Sequence, residues 1–101
     1  MHTSVQIING RAVVVLRGRF DFNAYGALRN SCDSPLASPA VRELELDLGG
    51  VEYLDSSALG MLLFLKERAD EARKRVVLSN CRGIVKAALT SARFDKVFSM
   101  A

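Results

Sequence analysis

Residues 42–60, RELELDLGGVEYLDSSALG, hold the change of period on which the fold turns. From Arg42 to Leu48 polar and apolar residues alternate strictly, the pattern of a strand with one buried face. Gly49-Gly50 reads as punctuation, and Gly49 to Asp55 as the connection out of the strand. From Ser56 the apolar spacing is helical, out to about Arg73. Asp and Ser are favoured N-caps, worth about 1 kcal/mol, and with Asp55 as cap Ser56 becomes the first helical residue, hydroxyl outward. A helix start presents unpaired N–H groups and the positive end of the dipole, which favours an anionic group such as phosphate there.

Placing successive residues about 100° apart gives this helix two apolar faces. Ala58, Met61, Leu62, Leu65, Ala69 and Ala72 form a stripe along its whole length, the face expected to pack on a sheet. Leu59, Gly60, Leu63 and Phe64 lie on the side of Ser56 and only over the first two turns, before Glu67, Asp70 and Glu71 take over. Two fates compete for that second patch: cover by a neighbouring element, or exposure as a docking surface. The exposure of Leu63 and Phe64 separates them.

Outward from this segment, Val5–Ile8 and Ala12–Arg17 are β-rich runs joined through Asn9-Gly10, a strong hairpin signal. Gly18–Asn23 reads as a loop and Ala24–Leu36 as a helix, with Tyr25, Leu28, Cys32 and Leu36 on one face and Pro35 and Pro39 ending it. Val76–Ser79 reads as a strand, Arg82–Leu89 as a third helix and Phe94–Phe98 as a short terminal element. This order predicts an α/β fold, a mixed sheet of four to five strands with helices packed on it and an N-terminal β-hairpin. With 101 residues, half of them hydrophobic, residues 1–101 are expected to form one domain.

The Leu54–Gly60 stretch resembles the phosphorylation motif of the STAS family, in particular its single-domain bacterial anti-sigma factor antagonists. There, Asp-Ser-(Ser/Thr)-Gly-Leu-Gly opens a helix and the Ser after the Asp is phosphorylated; here that residue is Ser56, with Ser57 as runner-up. A second match is Gly18-Arg19-Phe20-Asp21, and the order of elements agrees from Val5 to Phe98. Ala58 departs from the usual Gly; the helix is expected to tolerate it, and the methyl beside Ser56 is expected to narrow which partner fits.

The resemblance implies a STAS-like sheet and a partner-switching function. Unphosphorylated protein would bind an anti-sigma factor, a serine kinase with a histidine-kinase-like ATPase fold, and free its sigma factor. Phosphorylation of Ser56 would end the interaction and a serine phosphatase would restore it. The implied contact surface is Asp21, Phe22 and Asn23 from the upstream loop with Asp55, Ser57, Leu59, Gly60, Leu63 and Phe64. A non-sigma signalling target is a further partner found among such domains, and a constitutive STAS adaptor of a transporter or other signalling complex is the alternative.

The remaining chemistry is sparse. The net charge of +3 is modest, and Arg73-Lys74-Arg75 is read as favourable charge at a helix C-terminus rather than a nucleic-acid patch. Cys32 and Cys81 form no CxxC pair, His2 is the only histidine, and both cysteines are expected to be buried reduced thiols, so no metal and no cofactor is expected. Ser56 lacks a Gly-x-Ser-x-Gly context and a placed general base, which argues against a serine hydrolase. No apolar run is long enough for a membrane span and the N-terminus lacks a signal-peptide layout, so a cytoplasmic protein is expected.

Overall fold

The computed structural model describes every residue from Met1 to Ala101. Strands β1 (His2–Ile8) and β2 (Arg11–Phe20) form the hairpin, followed by a 3-10 turn at Phe22–Ala24 and helix α1 (Tyr25–Ala37). Then come β3 (Glu43–Leu54), α2 (Ser56–Glu71), β4 (Arg75–Ser79), α3 (Gly83–Ser91), a 3-10 turn at Phe94–Lys96 and β5 (Ser99–Met100). The sheet order is β1-β2-β3-β4-β5, antiparallel between β1 and β2 and parallel thereafter. It is the expected mixed sheet with an N-terminal hairpin.

The hairpin turns where expected because Asn9 (φ 50°) and Gly10 (φ 81°) both take the left-handed conformation that a type I′ turn needs. Alternation then sorts the sheet into two faces. Ala12, Val14, Leu16, Leu44, Leu46, Leu48, Val76 and Leu78 are buried against the helices, in one cluster of 23 residues with Leu28 and Cys32 of α1, Leu62 and Leu65 of α2, and Val85 and Leu89 of α3. On the other face Arg11 pairs with Glu43 and Glu45, and Arg75 with Glu43, over a sheet surface that no helix covers.

Several boundaries differ from the sequence reading, for identifiable reasons. β3 runs through Gly49-Gly50 to Leu54 instead of stopping at Leu48. A Cβ at Gly50 would stand 2.8 Å from Arg17 Cγ and 3.2 Å from the Leu16 carbonyl oxygen, so this glycine permits close approach of β2 at a register shift and does not end the strand. β2 likewise continues to Phe20. His2 is paired with Arg17 at the start of β1. Pro35 sits inside the last turn of α1, buried, and the helix reaches Ala37.

α2 stops at Glu71, and Arg73 and Lys74 have roles other than charge at the helix end. Arg73 takes φ 60° and its N–H donates to the Asp70 carbonyl at 3.0 Å, while the Lys74 N–H donates to the Ala69 carbonyl at 2.8 Å. This is a Schellman ending. The Lys74 side chain then turns inward, buried, and its Nζ donates to the carbonyls of Ser38 and Val41, tying the α1–β3 connection to β4. Cys32 is buried and Cys81 only half-buried, which corrects the expectation for the second thiol. Burial pushes the Cys32 thiol up to about 12, Arg68 opposing and Asp33 reinforcing, and burial also raises Cys81. Thiolate is the reactive form. Native protein near neutral pH is therefore expected to react slowly with iodoacetamide at Cys81 and at Cys32 only after unfolding, as peptide mass mapping will read.

Candidate functional site

The parallel pairing of β2 with β3 brings the two sequence motifs to one rim of the sheet. Phe20 and Leu54 are register partners, and the Asp55 N–H donates to the Phe20 carbonyl at 3.4 Å, so the turns that follow the two strands start side by side. Each opens with an aspartate as cap. Asp55 is extended and its Oδ1 accepts from the Ala58 N–H at 3.1 Å; Asp21 Oδ1 accepts from the Asn23 N–H at 3.0 Å. With its carboxylate turned to the helix end, Asp55 leaves Ser56 as the first residue of α2, exposed to solvent, and Ser57 half-buried behind it.

The two-faced reading of α2 holds at the level of burial. Ala58, Leu62, Leu65 and Ala69 are buried. Met61, assigned to the same stripe, is only half-buried, and Ala72 is exposed at the helix C-cap. On the side of Ser56, Leu63 is 45% and Phe64 51% exposed, Gly60 is exposed, and Leu59 is half-buried against the core. α1 flanks Phe64, and about half of Leu63 and Phe64 is left open. From the adjoining turn Phe22 stands 75% exposed, with Asn23 also exposed and Asp21 half-buried. Partly open apolar and aromatic side chains on the side of Ser56, with Asp21, Asn23 and Asp55 nearby in the two turns, form an apolar patch with a polar rim.

Three contributors escaped the sequence reading. Tyr25, assigned to the core face of α1, is exposed and lines a shallow apolar groove between α1 and α2 with Leu28, Met61 and Phe64. Arg19, across from Tyr53 in the register, lays its guanidinium over the Tyr53 ring, 4.0 Å from the centroid, with its Nε 3.6 Å from Asp21 Oδ2. The only sequence signal for that pair is register, which a single strand does not reveal. Gly60 meets nothing within 4 Å of an added Cβ. Gly60→Ala is thus expected to stabilise α2 by about 0.5–1 kcal/mol through helix propensity, read as a higher midpoint of urea unfolding.

Comparison with known proteins places this geometry. Residues 3–100 match the family model described as "Mlab, STAS domain". A STAS-domain containing protein of Pseudomonas aeruginosa (strain UCBPP-PA14) is 33% identical over 99 residues, spanning 97% of this chain and 96% of that protein. The chain belongs to the STAS domain family. Among solved structures it is similar to an anti-sigma factor antagonist from Mycobacterium paratuberculosis, with TM-score 0.81 and 27% identity over 98% of this chain and 83% of the other. It also shares its fold with the anti-sigma factor antagonist SpoIIAA in its unphosphorylated form, with TM-score 0.76 and 18% identity over 99% of this chain and 87% of that one. No helix is long and apolar enough to cross a membrane.

Proposed function

We propose that the chain is an anti-sigma factor antagonist of the partner-switching kind, a binding module and not an enzyme. Unphosphorylated, it docks an anti-sigma factor on the rim formed by Asp21, Phe22, Asn23, Asp55, Ser57, Leu59, Gly60, Leu63 and Phe64, and so frees a sigma factor. The anti-sigma factor is a serine kinase with a histidine-kinase-like ATPase fold that phosphorylates Ser56 and ends the contact; a serine phosphatase reverses the step, all in the cytoplasm. The observation that carries the reading is the exposed Ser56 at the start of α2, on the side of an apolar patch whose Leu63 and Phe64 are about half exposed. The likeness to the Mycobacterium antagonist supports the function class, and SpoIIAA, whose fold this chain shares, is known in a phosphorylated form as well.

The chemistry assigned to this chain is modest. Its own residues supply an exposed nucleophilic oxygen, a cap that holds it at a helix start, and N–H groups at the positive end of the dipole that tolerate the product anion. ATP and metal belong to the kinase. The test is phosphate-affinity electrophoresis of protein from cells in several growth conditions, with the modified residue mapped by mass spectrometry and the unmodified protein used to capture its partner. Phosphate on Ser56 with capture of an anti-sigma factor supports the reading. A chain that carries no phosphate under any condition and co-purifies with a transporter or other signalling complex is the constitutive adaptor instead.

A further inference from the structure

We infer that two copies of this chain pair through β1 into one continuous sheet, antiparallel about a two-fold axis at Val5. β1 is the outermost strand, seven residues long, and its register with β2 runs from His2↔Arg17 to Ile8↔Arg11 without a shift. The two-residue turn makes Ile8 and Arg11 a hydrogen-bonded pair. Ile8, Gln6, Ser4 and His2 therefore direct their main-chain groups to β2, and those of Thr3, Val5 and Ile7 point away from the sheet.

That outward set is self-complementary. With the axis at Val5, Val5 faces its own copy and Thr3 faces Ile7 twice, which closes six main-chain hydrogen bonds in an unbroken ladder. The usual guards of a sheet edge are missing: β1, HTSVQII, has no Lys, Arg, Asp, Glu or Pro and no bulge. The opposite edge, β5, has two residues, short enough to template little. In a chain of net charge +3, an uncharged edge is the place where two copies meet without like-charge repulsion.

The side chains suit the same partner. Val5 is 41%, Ile7 55% and Ile8 48% exposed. Val5 and Ile7 project to the helix side, being register partners of buried Val14 and Ala12; α1 meets β1 near Thr3, bonded to the Ser31 hydroxyl, and leaves Val5 and Ile7 exposed. The two-fold sets Val5 on Val5 and Ile7 on Thr3, covering apolar surface that β1 leaves open. β1 lies two strands from β3, which leads into Ser56, so a dimer presents two rims on one particle. The inference is independent of the reading of that rim.

Sedimentation equilibrium of the full chain over a dilution series tests it. Wild type is expected to approach twice the chain mass with rising concentration, and Val5→Lys to remain at the single-chain mass with an unchanged circular dichroism spectrum. Register is tested in a Cys81→Ser background. Ser4 and Gln6 of the other copy form a non-hydrogen-bonded pair about 4.5 Å apart at Cα, within disulfide reach. Mixed Ser4→Cys and Gln6→Cys proteins are therefore expected to cross-link on mild oxidation, far more than either alone. A wild-type chain at the single-chain mass at every concentration overturns the inference, as does a dimer that survives Val5→Lys or that fails to cross-link in the mixture.

Discussion

Replacing Leu62 and Leu63 separately by alanine will produce opposite phenotypes from neighbouring residues. Leu62 is fully buried in the cluster that joins α2 to the sheet, and its truncation removes transfer free energy and leaves a cavity, about 3–5 kcal/mol. Against a total stability of about 5–15 kcal/mol this endangers the fold, and each kcal/mol lowers the midpoint of a domain this size by roughly 4–8 °C. Leu63 is turned about 100° from Leu62 and is nearly half exposed, so Leu63→Ala is expected to change stability by no more than about 0.5 kcal/mol. Its cost falls on partner affinity, about 1–3 kcal/mol for an apolar anchor near the centre of an interface. Thermal denaturation followed by circular dichroism, with titration of each variant against the captured partner, reads both. A Leu63→Ala protein that melts like Leu62→Ala shows that the second face is structural; one that binds like wild type moves the docking surface elsewhere.

The two-faced α2 was legible because helical geometry converts spacing into direction with no knowledge of the neighbours: Ala58, Leu62, Leu65 and Ala69 had to share a side, and they share the core. Asp55 was legible as cap for the same reason, since capping is local. Exposure of Leu63 and Phe64 was not, because it depends on whether α1 or the C-terminal segment reaches them. Gly49-Gly50 misled because a glycine pair looks the same whether it ends a strand or lets a neighbouring strand approach; the deciding atoms, Arg17 Cγ and the Leu16 carbonyl, are more than thirty residues away. Lys74 hid in a basic run for a similar reason, its carbonyl partners Ser38 and Val41 lying 36 and 33 residues upstream. What the chain conceals is therefore mostly the identity of distant neighbours, and the candidate rim was readable to the extent that it is built from local turns.

Phosphorylation of Ser56 is expected to leave the fold intact and weaken partner binding by about 2–5 kcal/mol, roughly 30-fold to several thousand-fold in affinity. The modification brings about −1.5 to −2 charges to the first position of α2, where helix dipole and free N–H groups offset part of it. Ser56 is exposed, so the phosphate stays in water in the free protein and the melting curve should barely move. Docking changes the environment: the dianion, with Asp55 next to it and Asp21 on the adjoining turn, is pressed against a partner across an apolar patch, losing hydration and meeting whatever negative charge the partner carries. Arg19, already paired with Asp21, offsets little of this. The two contributions separate by salt, because repulsion among partly exposed charges is screened within about 10 Å at 0.1 M ionic strength whereas desolvation is not. Raising ionic strength should therefore recover only part of the lost affinity. Ser56→Asp, with one charge and a shorter reach, should fall between phosphorylated and unmodified protein, and Ser56→Ala should bind as unmodified wild type does. Titration calorimetry of the four forms at two salt concentrations measures the series, and equal affinities for the phosphorylated and unmodified proteins would falsify the switch.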